Sequence, residues 1–346
     1  MKTSLAPFSA LTPDIILNAL DAIGLPCDGR MLALNSYENR VYQVGIINAP
    51  ALVVKFYRPE RWTDKAILEE HAFVQELYEA ELPVVPTLAF DGDKSLHHID
   101  GFRFSVFPKQ GGRVPELESR TKLEWMGRLL GRIHATGALT PFKERPILDI
   151  NSFGDTPRAY LLDNDCIPAE YVETYQAISA QALAGVHSCF ERAGEVRQLR
   201  LHGDCYPGNI LWTDDGPHFV DFDDSRTGPA IQDLWMLLSG GRAEITVQLQ
   251  HLLAGYRTFY DFEPRELHLI EALRTLRLIH YAAWIAKRWD DPAFPAAFPW
   301  FTMPRYWQDR ITELQEQIEL MAGPPLTINQ FDGPPFFAGA AKFLTD

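Results

Sequence analysis

Cysteine is scarce in this chain, with four in 346 residues, and Cys27, Cys166, Cys189 and Cys205 lie too far apart to form a paired motif. That spacing argues against a disulfide framework and against a zinc site. No stretch reaches the run of about 18 apolar residues that a membrane-spanning helix needs. The opening Met1-Lys2-Thr3-Ser4-Leu5-Ala6-Pro7-Phe8 lacks the apolar block of a secretory signal. The expectation is therefore a cytoplasmic protein with free thiols and no membrane partner. Positive charge is in deficit as well: 32 Lys and Arg stand against 46 Asp and Glu, for a net charge of −14. Such a balance argues against duplex nucleic acid as the partner. It leaves a nucleotide possible, because phosphates need only local cations. Internal repeats are absent. What remains is ordinary globular composition, 46% hydrophobic and 23% charged, in a chain long enough for two lobes.

The most informative stretch is Leu199 to Arg226, LRLHGDCYPGNILWTDDGPHFVDFDDSR. It holds His202-Gly203-Asp204, then Asn209 five residues after that Asp, then Asp221-Phe222-Asp223. Ile210-Leu211-Trp212 and His218-Phe219-Val220 read as two strands joined at Asp215-Gly216, a strong hairpin signal. That hairpin brings Asn209 and Asp221 to its open end, where one hard cation could meet an amide oxygen and a carboxylate. Asp204 is an anionic acceptor for the proton of an attacking hydroxyl. A metal hydrolase could also employ His, Asp and Asn. The order and first spacing, however, are those of a protein-kinase catalytic loop followed by its metal-binding Asp-Phe-Gly, with Gly203 for the usual Arg and Asp223 for the usual Gly. Cys205 adjoins the expected base and reads as a bystander.

Upstream, Thr12 and Pro13 mark the start of a short amphipathic helix ending near Gly24. Residues 31–57 look like a hairpin whose turn region, Leu34 to Arg40, leads into Val41-Tyr42-Gln43-Val44. Small and polar residues between strands can lie over phosphates, although this turn has no glycine; Ser36 is the candidate hydroxyl. In the strand Ala51 to Tyr57, alternation puts Lys55 on the face of Val53 and Tyr57. A buried lysine requires partners, and in kinases these are the α- and β-phosphates and a helix glutamate. The helix from about Thr63 to Glu81 offers Glu70 first and Glu69 second. Gly101 to Pro108 is the last strand of the small lobe and the hinge, where backbone groups from Val106 to Pro108 would grip an adenine.

From Thr121 the pattern is helical, with His134 as a hydrogen-bonded core residue on the apolar face ending at Gly137. Residues 141–165 read as irregular, 168–193 as helix, and another helix follows Gly228-Pro229. There Asp233 could cap that helix or brace the catalytic loop, and a plain structural role is the reading. Pro264 to Trp289 reads as one long helix, the aromatics from Phe294 to Phe301 as core, and a last helix runs to about Met321. The prolines after Gly323 suggest an extended tail.

Lys55, a helix glutamate, His202-Gly203-Asp204 with Asn209, and Asp221, in that order, resemble the aminoglycoside phosphotransferase and choline kinase-like superfamily. Longer strings are similar to the bacterial stress response kinase A family within it: Leu34-Asn35-Ser36-Tyr37-Glu38-Asn39-Arg40-Val41-Tyr42, Val54-Lys55-Phe56-Tyr57-Arg58-Pro59-Glu60-Arg61-Trp62, Leu201-His202-Gly203-Asp204-Cys205 and Asp233-Leu234-Trp235-Met236-Leu237-Leu238. The resemblance runs from the first helix to about residue 328. It implies an α+β, bilobal protein-kinase-like fold with a small antiparallel-sheet lobe (1–109), a larger mainly helical lobe (110–328) and a tail (329–346). It further implies an ATP- and Mg2+-dependent serine/threonine protein kinase tied to stress survival and able to phosphorylate itself. Asp204 would be the base, Asn209 and Asp221 the metal ligands, and Ser36, Lys55, Glu70, Val106 and Pro108 the nucleotide contacts. An Ala-Pro-Glu activation segment is missing after Asp223. That keeps a small-molecule kinase acting on a metabolite alcohol as the alternative, with a catalytically silent nucleotide sensor behind it.

Overall fold

The computed structural model describes residues 7–328; the expected tail at 329–346 lies outside them. The Thr12 hydroxyl accepts from the Ile15 N–H at 3.3 Å, and Pro13 opens α1 (Pro13–Ala22), which lays Ile16, Ala19 and Leu20 against the sheet. Five strands form that sheet: β1 (Cys27–Leu34), β2 (Arg40–Ile46), β3 (Ala49–Phe56), β4 (His97–Ile99) and β5 (Phe102–Pro108). They pair antiparallel in the order β1-β2-β3-β5-β4, with α2 (Asp64–Glu79) between β3 and β4 in the chain. The region expected as one hairpin therefore carries three strands. The second turn escaped notice because Asn48, not a glycine, takes its left-handed position at φ 57°, a conformation Asn tolerates.

The larger, helical part follows: α3 (Arg120–Gly137), α4 (Thr156–Asp163), α5 (Ala169–Ala193), α6 (Ile231–Trp235), α7 (Arg242–Tyr256), α8 (Ile270–Ala286), α9 (Ala293–Ala297) and α10 (Pro304–Ala322). Short strands β6 (Leu199–Leu201), β7 (Ile210–Thr213), β8 (Gly216–Phe219) and β9 (Arg226–Gly228) frame the loops between α5 and α6. The mixed α/β class and the bilobal kinase-like arrangement are those expected. Three local expectations are corrected. A π-helical turn at Asn151–Asp155 and α4 occupy much of the segment expected to be irregular. The long helix is a 3-10 segment, Pro264–Leu269, running into α8. And α7 was not predicted, although Ile245, Leu249, Leu252 and Tyr256 are buried at helical spacing.

α7 matters because it supports the His202-Gly203-Asp204 loop through α3. The two helices meet backbone to backbone at glycines: a Cβ on Gly127 would lie 1.9 Å from the Leu252 carbonyl oxygen, and one on Gly255 1.9 Å from that of Glu124. This close crossing carries Tyr256 and His134 into one buried hydrogen bond, 2.8 Å from Nδ1 to the phenol oxygen.

Candidate active site

β6 delivers the chain into the loop His202-Gly203-Asp204, and a buried carboxylate from α6 fixes it there. Asp233 accepts from the His202 and Gly203 N–H groups, both at 2.9 Å, and faces His134 Nε2 at 3.1 Å. Burial opposes its charge, but His134 and these donors outweigh burial and hold its carboxyl below the usual range. Gly203 has φ 84°, and a Cβ there would lie 2.2 Å from the Asp224 carbonyl oxygen. The departure from an Arg at this position thus has a steric cause: the loop passes directly over the backbone after Asp223. Cys205 is fully buried, and burial first, then Asp233 and Asp204, raise its thiol well above the ordinary value, so it stays protonated.

Asp204 Oδ1 accepts from Arg277 Nη1 of α8 at 2.6 Å, and Asn209 Nδ2 approaches its other oxygen at 3.3 Å while donating to its backbone carbonyl at 2.9 Å. The hairpin forms as expected, with Ile210 opposite Phe219. The Val220 N–H donates to the Asn209 carbonyl at 3.0 Å, which places Asn209 beside Asp221. Asp221 sits in the left-handed region at φ 59° and its side chain is 54% exposed to the cleft. Asn209 spends its amide nitrogen on Asp204, leaving its oxygen for a cation. No group of three or more His, Cys, Asp or Glu able to hold a metal exists among the described residues. An amide and a carboxylate suit Mg2+, which usually takes few protein ligands and completes its shell with phosphates and water.

Lys55 projects from β3 into the same cleft, opposite Ser105 in the register with β5. Its Nζ lies 3.0 Å from Asp221 and 3.1 Å from Asp223. Burial works against its charge, but the two aspartates outweigh it and raise the ammonium well above the ordinary value. Neither candidate glutamate of α2 forms an ion pair with it among the described residues. Glu69 turns to the larger lobe and accepts the backbone N–H groups of Lys143, Glu144 and Arg145 at 2.6–2.8 Å. Glu70 lines the cleft, buried, with Arg145 Nη1 at 3.7 Å. Burial lifts its carboxyl to about 7 despite the pull of Lys55. The lysine partner that sequence reasoning missed is Asp223, at the position where kinases carry Gly. It is gripped by Arg61 and by Asn39 Nδ2 at 3.2 Å. Burial opposes its ionisation, yet Arg61 and Lys55 hold its carboxyl well below the ordinary range.

Ser36 lines the cleft from the β1–β2 loop. This loop needs no glycine because side chains anchor it. Glu38 meets Arg58 at 3.0 Å, Arg288 at 2.7 Å and Trp284 Nε1 at 2.5 Å, and the Tyr37 ring packs 4.9 Å from that of Phe298. On the hinge side, Phe107 and Pro108 line the cleft. Val106 does not: its side chain is buried in the small-lobe core and its carbonyl accepts from the Leu88 N–H at 2.7 Å. Strand alternation explains the swap, since Val106 shares the phase of Phe104 in the core. The whole cleft encloses about 900 Å³ and reaches from Pro108 past Asp204 to the α8 wall. Arg277 on that wall, like Arg61 and Arg145 beneath the loop, carries no local sequence signal; the 73 residues separating it from Asp204 hide the pair.

The sequence matches the phosphotransferase enzyme family over residues 31–270. It is 45% identical over 328 residues to stress response kinase A of Escherichia coli O157:H7, covering 95% of this chain and 99% of that one. A serine/threonine protein kinase of Salmonella typhimurium is 44% identical over the same shares. Among solved structures, an amicoumacin kinase bound to AMP-PNP, Ca2+ and amicoumacin superposes with TM-score 0.70 at 18% identity, covering 91% of this chain and 94% of that one. A microcompartment-associated aminopropanol kinase gives 0.67 at 18% identity over 90% and 97%.

Proposed function

Because the chain belongs to the phosphotransferase enzyme family and is an ATP-dependent kinase, we propose that it transfers the ATP γ-phosphoryl group, with Mg2+, to serine or threonine hydroxyls of proteins, itself included. The observation that carries this reading is the meeting of Lys55, Asp204, Asn209 and Asp221 around one cleft between the sheet and the helices. The Salmonella relative, a serine/threonine protein kinase, supports a protein acceptor. The lobe boundary at 109/110 belongs to the same reading, since β5 ends at Pro108.

Lys55 leaves its aspartates to orient the α- and β-phosphates, under the loop that carries Ser36. Asn209 and Asp221 would hold Mg2+, which would neutralise phosphate charge when bound. Asp204 takes the proton of the acceptor hydroxyl as its oxygen bonds to the γ-phosphorus; the bond from that phosphorus to the β-γ bridging oxygen breaks, and ADP leaves. Positioning and charge neutralisation supply most of the rate.

Phosphosite mapping tests the reading. The protein is incubated with Mg-ATP, alone and with a cell extract, beside Asp204→Asn. Phosphoserine or phosphothreonine dependent on Asp204 is expected in both incubations. Label confined to small metabolites would replace this reading with that of a small-molecule kinase.

A further inference from the structure

The cleft wall built from α8 carries charge of one sign. Between Glu271 and Asp290 the sequence has no acidic residue, while Arg274, Arg277, Lys287 and Arg288 fall in that interval. Arg277, Tyr281, Trp284, Lys287 and Arg288 all line the cleft. The rest of the molecule runs the other way, at a net charge of −14.

Most cations of the cleft are neutralised within the protein. Lys55 has Asp221 and Asp223, Arg61 has Asp223 and Asp224, Arg226 has Asp224, and Arg288 has Glu38. Two retain unused capacity. Arg277 Nη1 meets Asp204 and the Met236 sulfur, and its side chain is 41% exposed; its Nε and Nη2 donate to nothing among the described residues. Lys287 makes no ion pair among the described residues, and its ammonium rests 5.2 Å from the Tyr160 ring. Burial, with Arg288 adding to it, lowers the Lys287 ammonium below its ordinary value, so an arriving anion would relieve an uncompensated charge.

These two cations stand ten residues apart on a helical path, or about 15 Å at 1.5 Å per residue. A small alcohol cannot bridge that distance, whereas an extended peptide covers it in four or five residues at about 3.3 Å each. Resting on the protein-kinase reading above, we propose that the acceptor is an acidic peptide segment. One carboxylate adjoins the reacting hydroxyl and is taken by Arg277; a second, four or five residues away, is taken by Lys287. Tyr281 and Trp284 give the intervening residues an aromatic floor. An acceptor bearing an amine would meet like charge at the point of transfer.

The test uses the full chain with Mg-ATP and three serine-centred peptides of equal length, carrying Asp, Ala or Lys at the flanking positions ±1 and ±4. The expected kcat/KM order is Asp, Ala, Lys, with about tenfold or more between the extremes, the ratio that one favourable pair of about 1.4 kcal/mol gives. Lys287→Glu is then assayed with a peptide keeping Asp at ±1 and carrying Lys at ±4. The charge swap should make this the preferred peptide, a gain that an unfolded variant cannot show. Equal turnover of the three peptides, alongside persisting self-phosphorylation, overturns the proposal and leaves the kinase reading standing. If none is phosphorylated while a hydroxy acid such as glycerate is, both fall.

Discussion

Asp204 is poised between two different partners: one oxygen is bound by Arg277 at 2.6 Å and the other is approached by the Asn209 amide at 3.3 Å. Asp204→Asn keeps the shape and removes the proposed base, so kcat is expected to fall about 10²- to 10⁴-fold while Mg-ATP affinity, read by titration, stays within about threefold. Asp221→Ala acts on the other quantity. It removes the proposed metal ligand and one anchor of Lys55, and Mg-ATP affinity should fall tenfold or more; an unchanged affinity would remove Asp221 from the proposed metal site. Glu70 gives a pH signature. Its carboxyl is lifted by burial from 4.5 to about 7, so between those values the folded protein keeps a proton that the unfolded chain has released. The stability it contributes is full below about 4.5 and is lost as pH rises through about 7. Glu70→Gln removes that slope. Its melting temperature relative to the unsubstituted protein should be higher at pH 8 than at pH 5, by about 2 °C or more; equal differences at both pH values would refute it. Legibility at this scale follows chain distance. Asp204, Asn209 and Asp221 fall within one short stretch and announce themselves by spacing. Arg277, and Asp223 as a partner of Lys55, do not, because only folding brings them together.

At the scale of elements, the catalytic loop depends on a chain of contacts that starts at the α3–α7 crossing. Gly127 and Gly255 let the helices touch, Tyr256 then reaches His134, His134 reaches Asp233, and Asp233 holds the His202 and Gly203 N–H groups. A methyl group at Gly127 has a carbonyl oxygen 1.9 Å away, so Gly127→Ala must push the helices apart. Denaturant unfolding should show a loss of about 1–3 kcal/mol, and kcat should drop in the same variant because the loop loses its brace. A stability loss with unchanged kcat would mean that the brace is anchored elsewhere. Elements with clear punctuation were legible: the Thr12-Pro13 cap, the Asp215-Gly216 turn, the strand around Lys55. The β1–β2 loop was legible in position only. Its conformation is set not by glycine but by Glu38, Asn39 and Tyr37 reaching residues more than a hundred positions away, and no local pattern encodes that.

Across the whole molecule, the antiparallel sheet and the helical part are locked together beyond the end of α8 by largely buried charge. Asp291, just beyond α8, accepts Arg58 of the small lobe at 2.7 Å and Arg40 of β2 at 3.1 Å, with only 4% of its side chain exposed. Beside it, Glu38 of the β1–β2 loop is held by Arg288 and Trp284. The class of fold followed from the family resemblance that the catalytic motif and its companion strings carry, but this joint did not, since each member reads alone as an ordinary surface charge. Removing the shared carboxylate leaves buried Arg58 with Glu38 as its remaining ion partner and half-buried Arg40 with backbone carbonyls, a change near the lower end of the about 3–5 kcal/mol that breaking a buried pair typically costs. Asp291→Ala should therefore lower the unfolding free energy by that order. It should also raise KM for ATP, because Arg58 both contacts Asp291 and braces Glu38 under the phosphate loop. Asp291→Asn, which keeps the hydrogen-bonding shape without the charge, should fall between. If ATP KM is unchanged in both variants while stability falls, the joint holds the lobes together without shaping the nucleotide site, and the anchoring of the loop must come from Asn39 and Tyr37 instead.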